Sequence, residues 1–417
     1  MTKSESRMTK EFPMTNGQRR MAFQLPACHS SFGLRHSLVI TASALVIGLP
    51  LALAALLPSL CAQGLGAEPA TLKDAYSNYF LVGVAVNQRQ IDDEDQRGDQ
   101  IIKAQFDSIS PENALKWASV HSTPNGYDFT EADRYVAFGE RNHMTIVGHT
   151  LIWHAQTPRW VFQDADGRPL NGTNAADRAL LLDRMRDHIQ TVMGRYKGRI
   201  QIWDVVNEAL NDNGKLRKSS WERIIGPDYI EKAFQYAHEA DPAAILRYND
   251  YSLEDEPKRS AAIALMKKLL AEGVPVKAIG FQEHVQMKWP SVEREDETIS
   301  AFAQLGLKVM ITEMDVNVLG GLHSAEISEM AQQGTANIYA NGLPPDVEQA
   351  LTQRYADLFG VFIKHHNDVP LVTLWGVTDA DSWLNMRGRN FPLLFDWDGK
   401  PKPAFYSVIK VAEESSK

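Results

Sequence analysis

The sequence predicts an α/β fold, a (β/α)8 TIM barrel forming a single catalytic domain over residues 68–417, and three observations carry that prediction. Eight short apolar or β-branched runs recur with longer amphipathic stretches between them, the alternation that builds a parallel sheet covered by helices. No Ser/Gly/Pro linker, charge block or low-complexity tract interrupts them, so one domain fits this segment better than two. Polar and aromatic residues gather at the ends of the runs, where eight-unit barrels carry their reactive groups.

The first run, Phe80 to Val86, leads into Asn87-Gln88 and not into a glycine-rich phosphate turn, which argues against an open dinucleotide-binding sheet. The others are Phe106 to Ser110, Met144 to Leu151, Ile200 to Asn207, Ile245 to Asp250, Ala278 to His284, Lys308 to Asp315 and Leu371 to Gly376. Between them, Asp177 to Met193 reads as a helix with Leu180, Leu181, Met185, Ile189 and Val192 inward. Tyr229 to Ala240 reads as another, stopped by Asp241-Pro242 because proline disfavours helix at the preceding residue.

Residues 1–67 read as a leader. The run Leu38 to Leu60 is almost wholly apolar, follows Arg35, and gives way to the small residues of Cys61 to Ala67, the order of a secretory signal peptide. A secreted or periplasmic protein is expected. At 23 residues the run also suffices to span a bilayer, so an uncleaved membrane anchor is the alternative, weakened by Pro50. Arg19-Arg20 stands too far upstream for a firm twin-arginine signal, Leu60 departs from a lipoprotein box, and Met14 and Met21 are alternative starts.

A composition of 44% hydrophobic and 23% charged residues is that of a soluble globular protein. Removing the leader's six basic and two acidic residues from the chain's 43 and 52 leaves 37 and 50, net −13. That balance argues against nucleic acid, whose binding needs basic groups for the phosphates. Both cysteines, Cys28 and Cys61, fall in the leader, so no disulfide, zinc-thiolate site or cysteine nucleophile is expected in the domain.

The run ends are far from random. The second leads into Glu112-Asn113 and then Lys116-Trp117; the third carries His149, Trp153 and His154; the fourth closes on Asn207-Glu208. The sixth closes on Gln282-Glu283-His284, the seventh contains Glu313 and Asp315, and the eighth ends in Trp375-Gly376. Singly, each has a structural explanation: a helix cap, a satisfied histidine, a space-filling indole. Together they place two carboxylates on well-separated strands among donors, acceptors and apolar rings. Glycoside hydrolysis needs two carboxyl groups, and sugars present hydroxyls and apolar faces. A different reading takes His149, His154, Glu208, His284 and Glu313 as ligands of a divalent metal in an isomerase or amidohydrolase. It lacks a His-x-His pair at the first strand and gives the tryptophans no part.

These motifs resemble the family 10 glycoside hydrolases, mainly endo-1,4-β-xylanases, in order from about Leu72 to Val411. The resemblance rests on Tyr79-Phe80-Leu81-Val82-Gly83-Val84, Glu112-Asn113-Ala114-Leu115-Lys116-Trp117, Gly148-His149-Thr150-Leu151-Ile152-Trp153-His154, Trp203-Asp204-Val205-Val206-Asn207-Glu208, Ile311-Thr312-Glu313-Met314-Asp315 and Leu374-Trp375-Gly376. It implies Glu208 as acid/base, Glu313 as nucleophile, and retention through a covalent glycosyl-enzyme. Asn207 would bind the sugar 2-hydroxyl, and His284 would hold Glu313 with Asp315 behind it. Glu112, Asn113, Lys116, His149 and Gln282 would bind hydroxyls, and Trp153, Trp375 and Trp383 would wall the subsite.

Xylan and xylo-oligosaccharides are then the partners. No cofactor, metal or nucleic acid is expected, a membrane only if the leader stays uncleaved, and a monomer is the expected state. Glu283 departs from the family's smaller or neutral residue; strand alternation turns it away from its neighbours and makes it structural. His365-His366 precede the eighth strand and read as a solvated helix end, not a metal site. The Gly- and Ala-rich loop from Leu319 to Pro345 is a candidate for setting substrate preference.

Overall fold

The computed structural model describes residues 71–319, 339–386 and 388–417. The predicted leader with Cys28 and Cys61 lies outside the described residues, as do residues 320–338 of the loop from Leu319 to Pro345. Among the described residues no helix is long and apolar enough to cross a membrane.

All eight predicted runs form strands, and two short strands add to them. In chain order they are β1 (Leu81–Val86), β2 (Ser108–Pro111), β3 (Thr145–Gly148), β4 (Ile152–Trp153), β5 (Ile202–Asn207), β6 (Ile245–Asp250), β7 (Ala278–Phe281), β8 (His284–Gln286), β9 (Lys308–Asn317) and β10 (Leu371–Leu374). Parallel neighbours run β10-β1-β2-β3-β5-β6-β7-β9, and β9 pairs back onto β10. The sheet therefore closes into an eight-stranded barrel, with β4 beside β5 and β8 beside β9 at its rim. Every residue of β5 is buried, and in β9 only Lys308 is exposed. Burial on both faces is why these runs are rich in apolar residues, with their few polar side chains such as Asp204, Asn207, Glu313 and Asp315 turned to buried partners.

Two strands differ from the prediction. The run Met144 to Leu151 stops as a strand at Gly148 and resumes as β4. Gly148 lets Trp203 of β5 lie against it, since a Cβ there would sit 2.2 Å from the indole. The run Ala278 to His284 stops at Phe281, because Glu283 adopts a left-handed backbone with φ 62°, and β8 starts afresh at His284. Strand alternation therefore does not govern Glu283. The turn instead buries its side chain beside Glu254 and Glu295, with carboxylate oxygens of all three within 4.8 Å of one another.

The helices sheathe the barrel. Ala175–Arg195 starts at Asn174, whose side chain accepts from the amide of Ala176, and buries Leu181, Met185, His188, Ile189 and Val192. Leu180 is only half-buried, a correction that follows from its position about 100° around the helix from Leu181. Tyr229–Ala240 ends at Asp241, as the following proline requires. His365 closes the helix Pro345–Lys364, and its Nε2 lies 2.6 Å from Asp296. His366 packs its ring edge-on against Tyr79. Both histidines are half-buried and partnered, so this helix end is packed where a solvated one was expected.

Candidate active site

The strand ends converge on one cavity of about 610 Å³. Glu112, Asn113, Lys116, His149, Trp153, Asn207, Glu208, Gln282, His284, Glu313, Trp375 and Trp383 all line it. Asp315 lies just behind, against His284.

Glu208 follows the last residue of β5 with φ 55°, and its amide donates to the carbonyl of Asn249 at 2.9 Å. A left-handed backbone is uncommon outside glycine and is maintained here where the chain leaves the barrel. The Glu208 carboxyl accepts on Oε1 from the amides of Gln282 at 3.0 Å and Asn207 at 3.3 Å. His154 Nδ1 stands 3.8 Å from its other oxygen. Burial, then the charge of Arg217, pushes His154 down to about 4, so this imidazole is neutral above that pH.

Glu313 projects from β9 into different surroundings. Its Oε1 accepts from Asn249 Nδ2 at 2.8 Å, and its Oε2 lies 3.3 Å from His284 Nε2. His284 Nδ1 is 3.0 Å from Asp315 Oδ2, which also accepts from the indole of Trp383 at 2.8 Å. Burial opposes charge on His284, but Asp315 and Glu313 outweigh it and raise the imidazole to about 10. Burial likewise opposes ionisation of Glu313; the His284 hydrogen bond and the nearby His149 and His284 win, and the carboxyl lies below its ordinary value. Glu313 is an anion clamped against an imidazolium.

The remaining wall is also charged. Lys116 Nζ lies 3.1 Å from Asn113 Oδ1 and 4.9 Å from the centre of the Trp153 ring. Burial lowers its ammonium from the ordinary value, against the pull of Glu313, Glu112 and Glu208. Glu112 is raised to about 7, by burial first and then by Asp381, with Lys116 opposing. His149 Nδ1 lies 3.0 Å from Asp204, which Arg247 holds bidentately at 2.6 and 2.9 Å inside the barrel. Burial would raise Asp204, but Arg247 and His149 hold it down at about 2. The ring of His149 meets Trp375 edge-on.

Sequence reading missed several groups. Asn249 joins the two carboxylates: its Nδ2 donates to Glu313 and, at 3.0 Å, to Asn207 Oδ1, which also lies 3.3 Å from Gln282 Nε2. Its own Oδ1 accepts from Thr312 at 2.7 Å. The signal was Asn249-Asp250 closing an apolar run at the same rim. Arg217 donates to the Glu208 carbonyl at 3.0 Å and to the Tyr251 hydroxyl at 2.9 Å, and both side chains line the cavity, as does Asp381. Arg217 lies in an irregular loop, so no periodicity marks it.

A sequence model described as glycosyl hydrolase family 10 matches residues 71–411. An endo-1,4-β-xylanase A of Xylanibacter ruminicola is 42% identical, over 82% of this chain and 94% of that protein. A GH10 endoxylanase retrieved from a sugarcane soil metagenome has a structure that superposes with a TM-score of 0.76 at 39% identity, covering 82% of this chain and 99% of its own. An intracellular xylanase of Thermoanaerobacterium saccharolyticum, solved in complex with xylotetraose, superposes with a TM-score of 0.71 at 37% identity, covering 81% and 97%. With the barrel, the paired carboxylates and a match over most of its length, the chain belongs to glycosyl hydrolase family 10.

Proposed function

We infer that the protein is a retaining endo-1,4-β-xylanase, hydrolysing internal β-1,4-xylosidic bonds of xylan and xylo-oligosaccharides by double displacement. The observation that carries the assignment of roles is the unlike surroundings of the two carboxyls. Glu313 is held ionised by His284, as a nucleophile must be, whereas Glu208 is hydrogen-bonded by the neutral amides of Gln282 and Asn207.

In the first step a Glu313 oxygen attacks the anomeric carbon while the Glu208 carboxyl gives its proton to the departing glycosidic oxygen. The C–O bond to the leaving sugar breaks and a glycosyl ester to Glu313 forms. In the second, Glu208 takes a proton from water as that water attacks the same carbon, and Glu313 leaves as carboxylate. Two inversions give net retention. Asn207 serves the sugar 2-hydroxyl; Glu112, Asn113, Lys116, His149 and Gln282 serve the other hydroxyls; Trp153, Trp375 and Trp383 cover apolar sugar faces. Asp315 orients His284 and anchors Trp383. Neither metal nor cofactor enters these steps.

The test is the release of reducing ends from xylan, with the anomer formed first followed by proton NMR. Glu313→Ala and Glu208→Ala should each abolish release, and the first-formed anomer of the native enzyme should be β. Unchanged release by either variant, or an α product, overturns the mechanism. Activity should survive exhaustive chelation; loss restored by a divalent ion would favour the metal-centre reading.

Export of the protein belongs to the same proposal. The order Arg35, Leu38 to Leu60, Cys61 to Ala67 supports it. N-terminal sequencing of protein from culture fluid and periplasm tests the leader, and an intact membrane-bound form would establish an anchor. Light scattering tests the oligomeric state.

A further inference from the structure

The acid/base stands at the start of an irregular segment. Glu208 leaves β5 with φ 55°, and no helix follows until Ser220. Across this loop Leu210 and Leu216 bridge antiparallel, which returns Arg217 to the turn at Glu208. The Arg217 amide donates to the carbonyl of Ala209 at 2.7 Å, its Nε to that of Glu208 at 3.0 Å, and its Nη2 to that of Leu210 at 3.3 Å. Three successive carbonyls, from the acid/base onward, thus accept from one residue. The planar guanidinium serves two of them at once in a fixed geometry, which a lysine ammonium on its flexible stem does not.

The guanidinium is itself fixed. Its Nη2 also donates to the Tyr251 hydroxyl at 2.9 Å, and the centre of the Tyr251 ring lies 3.2 Å from Lys258 Nζ. Lys258 is wholly buried and pairs with Asp250 at 2.8 Å. Asp250, equally buried, accepts from the amide of Leu210 at 3.3 Å and from that of Tyr251 at 3.0 Å. The turn after Glu208 is therefore gripped through its carbonyls by Arg217 and through an amide by Asp250. Glu313 is held by a different pair, its oxygens meeting Asn249 and His284.

We propose that Arg217 is the positioning residue of the proton donor: it fixes the backbone course at Glu208, and so the line along which that carboxyl meets the glycosidic oxygen. The proposal rests on the retaining-hydrolase reading and adds a residue that acts on proton transfer and not on nucleophilic attack. Its weight then depends on the leaving group. A sugar hydroxyl or a weakly acidic phenol is protonated as the C–O bond breaks, the electron pair going to oxygen and the proton coming from Glu208. Dinitrophenolate departs as the anion and needs no proton. In the second step Glu208 takes a proton from water. Added azide instead attacks the glycosyl-enzyme with no proton to give up, forming a glycosyl azide and freeing the Glu313 carboxylate.

The experiment compares the full-length native enzyme with Arg217→Gln and Arg217→Lys on phenyl and dinitrophenyl β-xylobiosides, with Glu208→Ala as control. The kcat/KM of Arg217→Gln should fall about ten- to a hundredfold on the phenyl glycoside. On the dinitrophenyl glycoside it should stay within about twofold of native, because no proton is needed there. Azide should raise the variant's kcat on the dinitrophenyl glycoside and yield β-xylobiosyl azide, while leaving the native rate unchanged. Arg217→Lys keeps the charge without the planar fork and should show the same pattern with a smaller loss. If the glutamine variant does not melt cooperatively, the lysine variant decides. Equal losses on the two glycosides, or no loss on either, overturn the positioning role and leave the reading of Glu208 intact. A Glu208→Ala control that does not spare the dinitrophenyl glycoside overturns the acid/base reading itself.

Discussion

At the scale of single residues, the Asn249 side chain binds Glu313 directly and is linked to Glu208 through Asn207. Its amide donates to Glu313 and to Asn207, and Thr312 holds its oxygen. Asn249→Ala removes a neutral donor from an ionised acceptor. The expected cost is about ten- to a hundredfold in kcat/KM, from the ~1.5–3 kcal/mol of such a bond. Because the donor favours the ionised form of Glu313, its loss should also move the acidic limb of the pH–rate profile to higher pH. An unshifted limb would assign Asn249 a packing role alone. Glu112, raised to about 7, should make KM for xylo-oligosaccharides pH-dependent near neutrality, and Glu112→Gln should flatten that dependence.

Much of this residue-level picture was legible in the sequence, for a physical reason. Barrel geometry brings strand ends to one rim, so Glu208, Glu313, His284, Trp153 and Trp375 could be nominated by position at their runs, whereas Trp383 followed only from the family resemblance. Asn249 carried the same signal in a weaker form. Arg217, Tyr251 and Asp381 lie beyond the strands, where backbone course follows from tertiary contacts and not from any repeat.

At the scale of elements, β6, β7 and β9 form a support for Asn249. A Cβ on Gly280 of β7 would lie 2.2 Å from Asn249 Oδ1 and 2.8 Å from Thr312 Cγ2. Gly280→Ala should therefore displace Asn249 and lower kcat by about tenfold or more while the protein still folds, read as retained cooperative melting beside reduced turnover. A variant with native turnover would show that the amide does not set the nucleophile. The interruptions of the third and sixth predicted strands escaped sequence reading because apolar runs report burial, not hydrogen bonding. A left-handed residue such as Glu283 announces itself only when it is Gly or Asn.

At the scale of the whole molecule, Glu254 after β6, Glu283 between β7 and β8, and Glu295 of the helix Val292–Ala303 bury three carboxyls together, near Arg354 of the helix Pro345–Lys364. Burial chiefly, then mutual repulsion, raises Glu283 and Glu295 well above their ordinary 4.5, and burial raises Glu254. A raised folded-state value means the native state holds protons that the unfolded chain releases. Stability is thus fully present below about 4.5 and declines as pH rises toward the folded-state values. Glu295→Gln should melt higher than the native protein, by a margin that widens as pH rises; a constant margin would count against the linkage. His284 has the same sign: its contribution is complete below the ordinary histidine value of 6.5 and is lost as pH rises through about 10.

The closed ring also joins the two ends of the domain. β1 pairs with β10, and Tyr76, just ahead of β1, donates its hydroxyl proton to the carbonyl of Val408 at 2.7 Å in the helix Pro403–Ser415. The order in which the chain visits its eight units is then separable from the arrangement those units reach. A circular permutant, with residue 417 linked to residue 71 and new termini opened in an exposed turn such as that at Gly167, would keep every strand pairing. It would redistribute only which contacts are local in sequence.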